Sequence, residues 1–137
     1  MNLLFIDLGS SFIKYNIYNE LTGEYISENK IEFPKPIIDD GIHFHVSTKE
    51  ISDSVFNIIS ESEKHDFKKI LISVQMHGYI TRNTLGRFSD YVSWRDKSGD
   101  TEKKEFQNID FNKFGTSLKS NLPLTKTEEF QNDDEFF

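Results

Sequence analysis

Cysteine is absent from this chain of 137 residues, which excludes disulfides, thiol chemistry and zinc sites built on thiolates, and gives secretion no support. Alanine is missing too, while Asn, Lys, Ile and Phe abound, a bias of composition from which no function follows. No apolar run approaches the ~20 residues of a membrane span. No basic segment precedes the apolar residues at the N terminus, as it would in a leader peptide. A cytoplasmic protein without a membrane partner is expected. Positive charge is also scarce: 16 Lys and Arg stand against 23 Asp and Glu, a net charge of -7, which argues against nonspecific nucleic-acid binding but leaves room for single cations on a small phosphorylated ligand. What is present is a core-building set that includes 13 Phe, in a length that suits one compact domain.

Three strands are predicted first, Asn2 to Asp7, Phe12 to Tyr18 and Glu24 to Phe33, forming an antiparallel meander that Pro34 and Pro36 end. Gly41 to Val46 reads as a short extended piece. Ser47-Thr48-Lys49-Glu50 then has capping-box spacing, and Ile51, Val55, Ile58 and Ile59 follow at helical intervals up to about His65. Lys69 to Val74 reads as a buried parallel strand that delivers the loop Gln75-Met76-His77-Gly78. A second hairpin is expected from Tyr79 to Leu85, turning near Gly86 and returning as Tyr91 to Trp94. A polar helix is expected over about Gly99 to Asn108, and a loop leading into another helix around Thr125 to Phe130. No repeat or low-complexity tract is visible.

The chemistry-bearing candidates begin with Asp7-Leu8-Gly9-Ser10-Ser11. Gly9 permits a tight turn or a close backbone approach, Ser10 and Ser11 offer hydroxyl and amide donors to phosphate oxygens, and Asp7 suits a hydrated divalent cation. Taken alone, the same residues serve equally as a plain hairpin turn. Lys14 alternates away from Ile13 and Tyr15, as a solvated charge or as a phosphate contact. Phe12 either narrows the turn or opens the inward row of the second strand. Trp94 reads as core or as an apolar wall, and Asp96 as a helix cap or as an acceptor for a ligand hydroxyl. His43 and His45 would face one side of a strand, but no third metal ligand is placed beside them.

The order of these pieces resembles the opening of the actin-like ATPase (ribonuclease H-like) fold. Asp7-Leu8-Gly9-Ser10-Ser11 with Lys14 resembles the first phosphate motif of FGGY carbohydrate kinases. Ile72-Ser73-Val74-Gln75-Met76-His77-Gly78 is similar to their sugar-contacting loop in its xylulokinase-like form, and Tyr91-Val92-Ser93-Trp94-Arg95-Asp96 to their W-x-D segment. Met76 and His77 stand where glycerol kinases carry an Arg-Glu pair, which points to a ketose or related polyol. The resemblance implies an α/β fold, an incomplete N-terminal lobe over residues 1–137, whose mixed sheet combines the antiparallel meander with one parallel strand and flanking helices. It implies ATP and magnesium as cofactors. By the same resemblance Asp7, Gly9, Ser10, Ser11 and Lys14 serve the phosphate and, through Asp7, magnesium; Gln75, Met76, His77, Gly78, Trp94 and Asp96 serve the sugar.

The family's catalytic aspartate, second phosphate motif and adenosine site lie beyond position 137 in that comparison. The expectation is therefore the N-terminal part of an ATP-dependent kinase, inactive alone. Its partners would be a small sugar and a separately encoded C-terminal remainder or a further copy of itself. The alternative is a catalytically silent sugar-binding or interaction module. The acidic end, with Glu128, Glu129, Asp133, Asp134 and Glu135 among Phe130, Phe136 and Phe137, reads as a helix cut off from its partner surface.

Overall fold

The computed structural model describes residues 1–102, 106–107, 109–115, 117–129 and 135–136. These fall into two compact units, each interrupted in sequence: Met1–Lys35 with Lys49–Gln75, and Pro36–Thr48 with Met76–Phe137.

In the first unit, β1 (Asn2–Leu8), β2 (Phe12–Asn19) and β3 (Glu24–Glu32) form the expected meander, and β6 (Phe67–Val74) joins the other side of β1 in parallel, giving the order β3-β2-β1-β6. The 15-residue helix α1 (Thr48–Ser62) connects the meander to β6 and runs into a 3-10 turn, Glu63–His65. Alternation decides which face is buried. Leu4 opposes Ile17, Ile6 opposes Tyr15 and Leu8 opposes Ile13, so these side chains share one face. Ile58 of α1 closes over Leu4, Ile6, Ile13 and Ile17, with Val55 and Ile59 packed at its sides, which is the predicted helical spacing at work. The Asn2 side-chain amide donates to the His65 carbonyl at 2.7 Å and ties the helix exit to the start of β1.

β6 departs from expectation. It is the edge of the sheet, and Ile70, Ile72 and Val74 are 40, 52 and 65 % exposed although their register places them on the helix side. A strand apolar on both faces is the pattern of a parallel strand covered on both sides, and among the described residues α1 covers only the meander side. Phe12 is likewise not inward: Ile13 is, and Phe12 lies partly exposed on the opposite face with the Lys30 ammonium 4.8 Å above its ring.

The second unit is built on short antiparallel strands. β4 (Pro36–Asp39), β5 (Phe44–Val46) and β8 (Tyr91–Val92) form one sheet, and β7 (Thr81–Arg82) pairs with β9 (Glu135–Phe136). Pro36 thus opens a strand as well as following one, a position where its missing N–H costs no ladder bond. The predicted second hairpin is present: Tyr79 bridges Val92, and Asn83 closes the turn by accepting from the Leu85 and Arg87 amides while Gly86 takes a φ of 76°. The helix expected at Gly99 does not form over 99–102, and residues 103–105 and 108 lie outside the described ones. In its place Gly99 abuts another segment, where a Cβ would come 2.0 Å from Thr125 Oγ1 and 2.5 Å from the Ser120 carbonyl. Pro123–Glu129 is a 3-10 helix where a helix was expected to start at Thr125, and of the acidic end residues 130–134 and 137 lie outside the described residues.

Candidate functional site

The turn after β1 is built as the sequence implied. A Cβ on Gly9 would sit 2.9 Å from the Phe12 carbonyl oxygen, so the close backbone approach requires glycine. The Gly9 amide donates to the Asp7 carbonyl at 3.1 Å, and the Ser11 carbonyl accepts from Phe33, which fastens the turn to the end of the meander. Asp7, Ser10, Ser11 and Lys14 are all exposed. Asp7 opposes Lys14 across the β1/β2 pair and Ser73 across β1/β6, so the three share the face opposite α1. Among the described residues neither Asp7 nor Lys14 has an ion-pair partner. Charges of both signs therefore stand available beside two hydroxyls.

The parallel pairing carries a second consequence. Leu8 lies beside Val74, so Gln75 leaves β6 at the carboxyl end at which Gly9 leaves β1, the end where ligands bind in sheets with parallel strands. Gln75 Oε1 is buried and, among the described residues, has no hydrogen-bond donor. A buried acceptor without a donor is costly unless something else supplies one.

In the second unit, Met76 is 76 % exposed and His77 is exposed, with φ at 64°, the left-handed region that non-glycine residues seldom occupy. Gly78 is required by packing: a Cβ there would lie 2.1 Å from Tyr91 Oη and 2.4 Å from two carbons of its ring. Burial raises the Tyr91 pKa, an effect that Ser93 partly offsets, so the phenol under Gly78 stays neutral. Gly78 and Tyr91 together fix the exit of a loop whose preceding residue is strained and solvent-facing. Such outliers concentrate at ligand sites.

Trp94 and Asp96 lie in other surroundings. The Trp94 indole is 41 % exposed and lines a cavity of about 580 Å³ with Ile42, His43, Phe44, Arg95 and others, none of them from the Gln75–Gly78 loop. Asp96 is fully buried, and protein donors already take both of its oxygens. Oδ1 accepts from Lys126 Nζ at 2.5 Å and from the Ser98 hydroxyl and amide, while Oδ2 accepts from the Phe44 amide at 2.8 Å and lies 3.2 Å from His45 Nε2. Burial opposes ionisation of this carboxyl, but Lys126, Ser98 and Phe44 more than offset it and hold its pKa well below the usual range. A carboxylate so satisfied has no acceptor to offer a sugar hydroxyl. Asp96 closes an Asx turn onto Ser98 and anchors the 3-10 helix through Lys126. His45 is engaged with it, and His43 Nδ1 lies 2.9 Å from Asp40 Oδ2.

The sequence pointed to neither Lys126, which sits in a polar stretch that reads as exposed, nor the strain at His77. The one available signal for Lys126 was an aspartate after a buried strand that would need a counter-charge.

No protein-family model matches the chain, and no curated protein does. Solved structures do. A xylulose kinase from Lactobacillus acidophilus is similar over 96 % of this chain and 28 % of its own, with a TM-score of 0.75 at 21 % identity. A carbohydrate kinase from Novosphingobium aromaticivorans is similar over 97 % and 31 %, with a TM-score of 0.74 at 16 % identity. A gluconate kinase from Lactobacillus acidophilus is similar over 92 % and 27 %, with a TM-score of 0.71 at 21 % identity. The fold is that of the N-terminal lobe of such kinases, and the chain spans less than a third of the length of the structures it resembles.

Proposed function

We propose that this chain supplies the phosphate turn and the sugar loop of an ATP-dependent carbohydrate kinase of the FGGY type, acting on a ketose or related polyol. The observation that carries the reading is the β1/β6 register. It sets the turn with exposed Asp7, Ser10 and Ser11 and the departure of the Gln75–Gly78 loop at one carboxyl end of a parallel pair. In this reading His77 and Met76 contact the sugar, and Ser10, Ser11 and Lys14 lie along the transferred phosphate. The donor set fits magnesium only in company: one exposed carboxylate with neighbouring hydroxyls suits a hydrated ion that also holds substrate phosphates, not a closed protein cage. Magnesium, when bound, neutralises charge on those phosphates. Phosphoryl transfer relies on positioning and charge neutralisation, and this chain presents groups for both; in this reading the base that accepts the hydroxyl proton is supplied from outside it.

The test is a titration of the isotope-labelled chain with D-xylulose and, separately, glycerol, followed by amide resonances. Saturable shifts confined to Gln75–Gly78 with the ketose and absent with glycerol are expected. No shift with any ketose overturns the reading. In a coupled assay the chain alone should not turn over ATP, and turnover that Asp7→Ala abolishes would show that the base is within this chain after all.

A further inference from the structure

Arg95, Lys97 and Lys119 line one cavity, which lies wholly within the second unit, and among the described residues none of the three has a carboxylate partner. In a chain with a net charge of -7 this is a local reversal of sign. The carboxylates nearest in sequence are turned elsewhere. Asp40 accepts from the Ile42 and His43 amides and holds the His43 ring at 2.9 Å, Asp96 is closed by Lys126, Ser98 and Phe44, and Asp100 accepts from the Glu102 amide at 2.7 Å. Asp39 is the single carboxylate on the lining, and His43, also on it, is taken up with Asp40. Three positive charges against one negative leave the lining with an excess of two.

The fold fixes the segments that carry these charges. The Ser93 amide donates to the Phe44 carbonyl at 3.0 Å and the Lys97 amide to the Ile42 carbonyl at 2.8 Å, while the Asn121 side chain donates to the Trp94 carbonyl at 3.0 Å, so the three lining segments are hydrogen-bonded to one another. The Arg95 guanidinium stacks 4.0 Å from the centre of the Phe44 ring, which holds its plane and leaves its N–H edges for an anion. Such a fork matches two oxygens of one oxyanion, and lysines beside it act as point charges. Ser120 adds a hydroxyl donor to the lining. The charge count then selects among anions: a monoanion leaves part of the excess unneutralised, and a dianion cancels it.

We infer that this cavity is a binding site for a dianionic oxyanion, the charge shared by inorganic phosphate, sulfate and phosphate monoesters, with the Arg95 fork on two oxygens and Lys97 and Lys119 beside them. Recognition rests on charge, and it calls neither on the Gln75–Gly78 loop nor on the kinase reading. The volume of about 580 Å³ exceeds that of a free ion, so an ester with an organic body fits the same chemistry. Trp94 is the single tryptophan of the chain and lines the cavity, so its fluorescence reports on occupancy.

The experiment is a titration of the full chain at fixed ionic strength and about pH 8, where a phosphate group carries close to two charges. The probes are inorganic phosphate, sulfate, phenyl phosphate and acetate, read by calorimetry and by Trp94 fluorescence in parallel. The three dianions should saturate by both methods, and acetate at the same concentrations should not. Tighter binding of phenyl phosphate than of inorganic phosphate assigns the site to an ester, and the reverse order assigns it to the free ion. Arg95→Gln should weaken phosphate binding about ten-fold, and Lys97→Gln and Lys119→Gln about three- to five-fold each, with circular dichroism unchanged. Asp39→Asn, which removes the opposing charge, should tighten it about two-fold. Lys68→Gln, which removes the same charge from the first unit, should leave it unchanged. Absence of saturable binding by both methods, acetate binding as tightly as phosphate, or undiminished affinity in the Arg95→Gln/Lys119→Gln double variant would overturn the site.

Discussion

Substituting Asp96 tests the arrangement of the second unit most directly. Asp96 and Lys126 have no exposed side-chain surface, and the carboxylate collects Lys126, the Ser98 hydroxyl and the amides of Phe44 and Ser98. Asp96→Asn keeps the shape and removes the charge. The Lys126 ammonium is then left buried with the Asp96 carbonyl at 3.3 Å and the Tyr79 ring at 5.7 Å, neither of which replaces a counter-ion. Breaking one partner of a buried pair costs about 3–5 kcal/mol. For a chain of this size that corresponds to a fall in melting temperature of roughly 10–15 °C. Thermal melts by circular dichroism would measure it, and Lys126→Met in the Asp96→Asn background should recover part of the loss by removing the stranded charge.

The pH dependence has a definite sign. Folding holds the Asp96 carboxyl below its unfolded value, so its contribution is fully present above a pH of about 4 and is lost as the pH falls through the native value. The gap between wild type and Asp96→Asn should therefore narrow as the medium is acidified below about pH 4. A loss under about 1 kcal/mol at neutral pH would mean that solvent reaches the pair, and would refute the reasoning.

Three further outcomes are expected. His77→Gly should raise stability by about 1 kcal/mol, because glycine occupies a φ of 64° without strain, while His77→Val should lower it and both should lose the ketose-induced shifts; equal melting temperatures for the two variants would contradict the strain. The Asp40 carboxyl, lowered to about 2 by hydrogen bonds from the His43 ring and the amides of His43 and Ile42, should titrate closer to the usual carboxylate range in His43→Ala, as carbon-detected NMR would show. Ile72→Lys with Val74→Lys, on the exposed edge of β6, should reduce self-association of the chain in sedimentation velocity, and unchanged sedimentation would dismiss that edge as a contact surface.

The first unit was largely legible because its order is written in local periodicities. The period-2 rows of β1 and β2 and the Val55, Ile58, Ile59 stripe of α1 each find their partner within about fifty residues, and the Gly9 turn is required by a backbone contact three residues away. β6 was read correctly as a strand and as parallel, but its burial was misjudged. Composition reports what a strand is suited to, whereas exposure depends on what covers it. The second unit was harder to read because the contacts that hold it follow no periodicity. Asp96 and Lys126 are 30 positions apart, Gly99 is shaped by Thr125, and the Ser93 amide reaches the Phe44 carbonyl. No repeating row of residue types marks such pairs.

The same distinction separates the candidate residues. Asp7, Ser10, Ser11 and His77 are exposed, and among the described residues none of their side chains has a hydrogen bond or ion pair within the protein, which is what the proposed site asks of them. Asp96 looks the same in sequence and is the opposite in structure, with every acceptor position committed inside the protein. A motif residue can thus owe its identity to the scaffold, and the satisfied hydrogen bonds reveal it: a ligand-binding carboxylate must keep a lone pair free, and Asp96 keeps none, while exposed Asp7 has no ion-pair partner among the described residues.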